Sequence, residues 1–252
     1  MNMELFYKIV IIWIVIAIAV FIVLLFIPAP YGRLSSKKWG IVISSRISWM
    51  VMELPSLAAF GYFYFKENSG GNIYSSILAL FWILHYAHRT FIFPFRIRDR
   101  VKKMPLAVSI MAIFFNLMNG FINGFYLGKI FPAGREFGSP DLVFITGAIL
   151  FLAGAAINLH SDQVLISLRK NNGDTYAIPF GGLFTWVSCP NYFGEIVEWL
   201  GYAVMAWSLP ALSFFIWTFA NLVPRAMHYQ KWYRKNFTDY PLERKAVIPF
   251  LL

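Results

Sequence analysis

Residues 158–198 concentrate side chains able to bind and polarise: Asn158, His160, Asp162, Arg169, Tyr176, Asn191, Glu195 and Glu198, with Gly181-Gly182 among them. On a helix, Asn158, Asp162 and Arg169 fall within roughly 40° of one another, because residues four and eleven apart share a face. Pro190 suits the first turn of a following helix, where no N–H is needed, and that helix aligns Asn191, Glu195, Glu198 and Tyr202. Both stripes lie in or beside strongly apolar sequence. Carboxylates kept in such surroundings mark something polar held between them.

A second group is smaller. Glu53 sits inside an apolar run, where a lone carboxylate costs at least ~2.5–3.5 kcal/mol. Pro55 is expected to disrupt the helix there and free the carbonyl of Val51. A protonated glutamic acid bonded to a neighbouring helix is one use for Glu53; orienting or protonating a substrate is the other. Tyr86 and Arg89 share a face of the next apolar run, with Phe93 one turn on, and fit either an interfacial anchor or a polar contact. His85 and His88, three apart on one helix, cannot ligate opposite faces of one haem. Cys189 is the only cysteine, so no metal site is expected. Arg100 and Arg169 serve equally as topological charges or as partners for the phosphates of a dinucleotide. Gly181-Gly182 is a turn signal, and neither a Rossmann nor a P-loop glycine motif occurs. In the tail, Arg225, Tyr229, Trp232, Tyr233 and Asn236 form one stripe if the last helix runs on; an interfacial aromatic belt has the same pattern.

The elements that must position these residues are membrane helices. Of 252 residues, 59% are hydrophobic, and span after span reaches the roughly 20 apolar residues a bilayer needs. Strand-like alternation is absent, which excludes a transmembrane barrel. The spans are 5–27, 41–65, 76–95, 106–131, 142–168, 191–207 and a seventh ending near Arg225. The first is too long for a signal-peptide core, so it is read as retained. Arg33, Lys37, Lys38, the basic run 96–103, Arg169, Lys170 and the C-terminal basic residues fall on one side. Lys8, Lys66, Lys129 and Arg135 fall on the other. That asymmetry predicts an all-α polytopic membrane protein of seven transmembrane helices, N-terminus outside and C-terminus cytoplasmic. The net charge of +10 then reflects topology and not nucleic acid. One domain, 1–252, is expected, with about 1–135 on the substrate side and about 136–252 on the cofactor side. The residues alone leave a membrane enzyme or a transporter with a polar intramembrane cavity.

Several motifs in order are similar to those of the steroid 5α-reductases. They are Glu53-Leu54-Pro55-Ser56, His85-Tyr86-Ala87-His88-Arg89-Thr90-Phe91, Asn158-Leu159-His160-Ser161-Asp162, Gly181-Gly182-Leu183-Phe184 and Asn191-Tyr192-Phe193-Gly194-Glu195. Glu198-Trp199, Gly201-Tyr202, Trp207-Ser208-Leu209-Pro210-Ala211-Leu212 and the ending from Tyr240-Pro241 through Arg244-Lys245-Ala246 to Ile248-Pro249-Phe250 match too. The resemblance implies a seven-helix reductase, read as a bacterial-type homologue, that uses NADPH to reduce a carbon–carbon double bond conjugated to a ketone. A 4-ene-3-ketosteroid is the substrate it implies. Glu53 and Tyr86 match the pair that contacts the substrate carbonyl. Cofactor contacts fall on Arg100, Asn158, Asp162, Arg169, Tyr176, Asn191, Glu195, Glu198, Arg225 and Tyr233. The implied partners are a steroid-like substrate and the lipid bilayer, with no nucleic acid and no obligate protein partner. The location is multi-pass, in the inner membrane of a bacterium or the endoplasmic reticulum of a eukaryote. Met52 stands where the family often has glutamine, Ala177 where a basic residue sometimes occurs, and Tyr229 where members can carry histidine; these bear on substrate range and cofactor affinity. The rival readings are a polyprenal or enoyl-CoA lipid reductase, a membrane methyltransferase using S-adenosylmethionine, and a small proton-coupled transporter.

Overall fold

A computed structural model describes residues 1–30, 34, 40–67, 73–97, 103–131, 142–172 and 176–252. Helices dominate, and they gather into two compact units, one of Met1–Ala29 with Leu142–Leu252 and one of Pro30–Asp141. The first helix thus falls in the same compact unit as the C-terminal helices. Among the described residues, four helices are long and apolar enough to cross a membrane: Met3–Phe26, Ile73–Arg96, Leu106–Ile130 and Leu142–Lys170.

In the first unit, α1 (Met3–Phe26) starts at Asn2, whose side chain accepts the Leu5 N–H at 2.8 Å. It buries one stripe, Phe6, Val10, Trp13 and Ala17, and leaves Ile11, Ile12, Val15, Ile18 and Ile22 exposed. An apolar face of that kind suits lipid, which offers no drive to hide it. The buried stripe lies along α8 (Leu209–Asn236). There the Trp217 indole donates to the Trp13 carbonyl at 3.0 Å, and a His228 ring nitrogen sits 3.0 Å from the Leu24 carbonyl. Both pairs share one offset, so the two helices run parallel. Helix α8 is continuous well beyond Arg225, where the seventh span was expected to end. A run of good helix formers and aromatics after Pro224 carries it to Asn236, beyond the apolar stretch that set the expectation.

Helices α6 (Leu142–Asn172) and α7 (Pro190–Ala206) form the tightest pair of this unit. Gly147 and Gly154 of α6 meet Gly201 and Gly194 of α7, so each glycine lies against the other helix's backbone. A Cβ on Gly194 would lie 2.5 Å from the Asn158 nitrogen, and one on Gly147 would lie 2.7 Å from the Gly201 carbonyl oxygen. Glycine in a helix interior costs about 1 kcal/mol relative to alanine. Here its lack of a side chain lets two backbones approach closely enough for their polar neighbours to meet. A two-residue turn follows α7, with Trp207 in the left-handed region at φ 43° and Ser208 capping α8.

The second unit holds β1 (Val42–Ser44), α2 (Ser45–Glu67), α3 (Ile73–Ala87), α4 (Phe93–Arg96), β2 (Lys103–Pro105) and α5 (Leu106–Phe125). The two short strands pair antiparallel with Val42 opposite Pro105 and Ser44 opposite Lys103. A wide π turn, His88–Ile92, joins α3 to α4, and another, Tyr126–Ile130, extends α5. Pro55 does not break α2, which runs unbroken through it. The lost hydrogen bond is outweighed by the packing of α5 along the same stretch. Gly120, Gly124 and Gly128 abut the backbones of Ser56, Phe60 and Tyr64 in that order, so α5 runs parallel to α2 in fixed register. On its other side Phe60 stacks on Trp82 of α3 at 4.9 Å, and Trp82 on Tyr86 at 5.2 Å.

Candidate active site

The glycine contacts of α6 and α7 bring the two polar stripes into one joint. Asn158 is buried, and its amide donates to the Asn191 carbonyl at 2.9 Å. The Asn191 amide in turn donates to the Asp162 carboxylate at 3.2 Å. Asp162 is buried, while Asn191 is half-buried at the start of α7. Glu198 and Tyr202 are buried further along the same helix, and Glu195 is half-buried between them and Asn191. Glycine spacing made this joint: glycines seven apart return to nearly the same helix face, and both 147/154 and 194/201 keep that spacing. The pattern was visible in the sequence but carries meaning only once α6 and α7 are known to be partners.

Arg169 is half-buried in the last turn of α6. Arg225 is half-buried on α8, one turn before the buried Tyr229, whose ring stacks on Tyr192 at 6.1 Å. Tyr176 meets the edge of Trp232 at 5.1 Å, and Tyr233 stacks on Tyr240 at 5.1 Å with the rings 11° apart. The tail stripe divides: Tyr229 and Tyr233 are buried, whereas Asn236 is exposed and bonds back to the Trp232 carbonyl. Arg100 lies outside the described residues.

Residues 240–252 add a fastening that the stripes did not foretell. Arg244 is 2% exposed, donates from Nη1 to the Pro179 carbonyl at 2.9 Å, and lies 4.8 Å from the Phe180 ring centre. Tyr240 and Ser188 share a 2.7 Å hydrogen bond. Lys245 and Ala246 exchange backbone bonds with Trp186, Ser188 and Cys189. The tail is thereby tied to the segment entering α7, just before Asn191. Burial pushes the Tyr240 hydroxyl above the ordinary tyrosine range, opposed by its Ser188 bond and the Arg244 charge. By residue type alone Arg244 looks like any topological charge; in the sequence it stands out only within the Arg244-Lys245-Ala246 part of the C-terminal resemblance. The Gly181-Gly182 turn has positive φ at both residues, 95° and 53°, and a Cβ on Gly182 would meet the His160 ring at 2.7 Å.

The second unit holds the other constellation. Tyr86 is 3% exposed at the end of a buried stripe of α3, and its hydroxyl donates to Asn116 Oδ1 of α5 at 3.4 Å. Asn116 Nδ2 donates to the Met52 carbonyl at 2.6 Å. Glu53, the next residue of α2, is half-buried. In the same unit Ser48, Ser56 and Thr90 are buried with hydroxyls that have no hydrogen-bond partner. Arg89 is occupied differently, its guanidinium 4.5 Å from the Trp49 ring centre and 4.6 Å from that of Phe93. Asn116 was not singled out by sequence; it continues the every-fourth-residue series of Gly120, Gly124 and Gly128, where a small side chain was the only visible requirement. Among the described residues no cluster of three metal-ligating side chains occurs.

A family model described as 3-oxo-5-alpha-steroid 4-dehydrogenase matches residues 102–252. The chain is 39% identical to "Steroid 5-alpha-reductase DET2" of Gossypium hirsutum over 94% of this chain and 93% of that one. It is 40% identical to "3-oxo-5-alpha-steroid 4-dehydrogenase 1" of Rattus norvegicus, covering 89% and 86%. The protein of the same name from Homo sapiens is 40% identical, covering 88% and 85%.

Proposed function

The chain belongs to the 3-oxo-5-alpha-steroid 4-dehydrogenase family, an oxidoreductase group acting on CH–CH bonds, and from that premise we propose that it reduces the conjugated double bond of a 4-ene-3-ketosteroid to the 5α product with NADPH. The similarity to steroid 5-alpha-reductases over nearly the whole chain carries this reading. It is an integral membrane enzyme of seven helices, N-terminus outside and C-terminus cytoplasmic. The charge asymmetry of its loops and the apolar faces of α1, α5 and α6 support that topology. Helices α2, α7 and α8 are the more polar three because they carry Glu53, the acidic stripe and the arginine–aromatic tail.

The donor set fits a dinucleotide. The Asn158, Asn191 and Asp162 joint, with Glu195 and Glu198, offers the mixed donors and acceptors that ribose hydroxyls and a carboxamide require. Arg100, Arg169 and Arg225 suit phosphates, for which a planar guanidinium is the better match. Tyr176 offers an aromatic face, Tyr233 backs the site from its stack on Tyr240, and the buried Nε of Arg244 has no hydrogen-bond partner. When bound, NADPH supplies the hydride. Glu53 and Tyr86 hold the substrate ketone. Negative charge grows on its oxygen as the β-carbon is reduced, and a protonated Glu53 or the Tyr86 phenol stabilises that oxygen by hydrogen bonding where water is scarce. The test is an assay of purified protein with NADPH against a steroid panel and a polyprenal panel. Turnover of 4-ene-3-ketosteroids is expected; turnover of polyprenals alone, or none with either panel, overturns the substrate assignment.

A further inference from the structure

Resting on that reading of Tyr86, we propose that Asn116 is a positioning residue that fixes the direction in which the Tyr86 phenol presents its proton. The amide of Asn116 has no freedom of orientation. A backbone carbonyl can only accept, so the 2.6 Å contact with Met52 must be made by the NH2 end. The oxygen end is thereby turned to Tyr86, which must donate to it. The asparagine, in turn, is held on α5 by the register that Gly120 and Gly124 impose on α2. Backbone packing thus decides the polarity of a side-chain hydrogen bond.

The two bonds are unequal, and that inequality gives them a role. At 2.6 Å the Met52 bond is short and stays made; at 3.4 Å the Tyr86 bond is at the long end of the useful range. A ketone oxygen placed at the phenol is the better acceptor once charge grows on it. The phenol then turns its proton from Asn116 to the substrate and returns it when product leaves. Until then the Asn116 oxygen is an acceptor for the hydroxyl.

The experiment compares Asn116→Leu, Asn116→Gln, Tyr86→Phe and the Asn116→Leu/Tyr86→Phe double variant as full-length protein in detergent, with steady-state kinetics and melting temperature for each. Leucine keeps the volume and removes both bonds. Asn116→Leu is expected to lower kcat about tenfold with KM for the ketone within about twofold. Asn116→Gln, which retains an amide, should recover part of the loss, and Asn116→Leu should add nothing in the Tyr86→Phe background. Losses that multiply in the double variant, a change confined to KM, or a fall in melting temperature that accounts for the lost activity would overturn the proposal. If Tyr86→Phe has no measurable turnover, the split between kcat and KM and the glutamine rescue decide. Full activity in Tyr86→Phe would instead defeat the role given to the phenol itself.

Discussion

Two helix pairs in this molecule are packed through glycine, and they differ in who contributes it. In α6–α7 both helices do, and Gly147, Gly154, Gly194 and Gly201 interlock backbone to backbone. In α2–α5 only α5 does, through Gly120, Gly124 and Gly128, while α2 presents Ser56, Phe60 and Tyr64. Reciprocal glycines bring the polar residues of two helices into direct contact, as Asn158, Asn191 and Asp162 show. One-sided glycines instead leave the large side chains of α2 free to face α3, where Phe60, Trp82 and Tyr86 stack. The first arrangement suits a polar, charged ligand; the second suits an apolar ligand with one polar end.

The largest expected effect tests whether that contrast is physical. Gly154→Leu forces a side chain into the Glu198 and Gly194 backbones, and overpacking of this kind costs about 3 kcal/mol or more. It should abolish recovery of monodisperse protein. The milder Gly154→Ala should weaken NADPH binding more than ketone binding, and Gly124→Ala should do the reverse. Equal effects of the two alanine variants on both ligands would erase the distinction. Next, Glu53→Gln and Tyr86→Phe should each lower kcat by about a hundredfold while cofactor affinity, read from nicotinamide fluorescence, stays unchanged. Full activity in both would remove the carbonyl-holding role. The smallest effect is Arg100→Ala, expected to raise the dissociation constant for NADPH about tenfold and that for NADH hardly at all. Equal weakening of both would exclude a contact to the 2′-phosphate.

The sequence by itself determined the helices and the residues worth watching. Apolar runs of bilayer length agree to within a few residues with the four long apolar helical stretches, Met3–Phe26, Ile73–Arg96, Leu106–Ile130 and Leu142–Lys170. Pro190 was readable as the first residue of α7, because a proline at that point interrupts no hydrogen bond. Pro55 misled, because its local cost is real but smaller than the interhelical packing that surrounds it. Helix α8 runs past the apolar stretch that ends near Arg225, and this continuation is what the tail stripe required. Tertiary structure alone decided that α1 sides with α8, that glycines seven apart on α6 and α7 face each other, and that Arg244 is buried beneath the segment leading to Asn191. It also decided that Asn116, an unremarked amide on α5, bridges the Met52 carbonyl and the Tyr86 phenol. Periodicity along one helix specifies which face is apolar, but which residues meet across two helices depends on register, and register is set by backbones that touch only after the chain has folded.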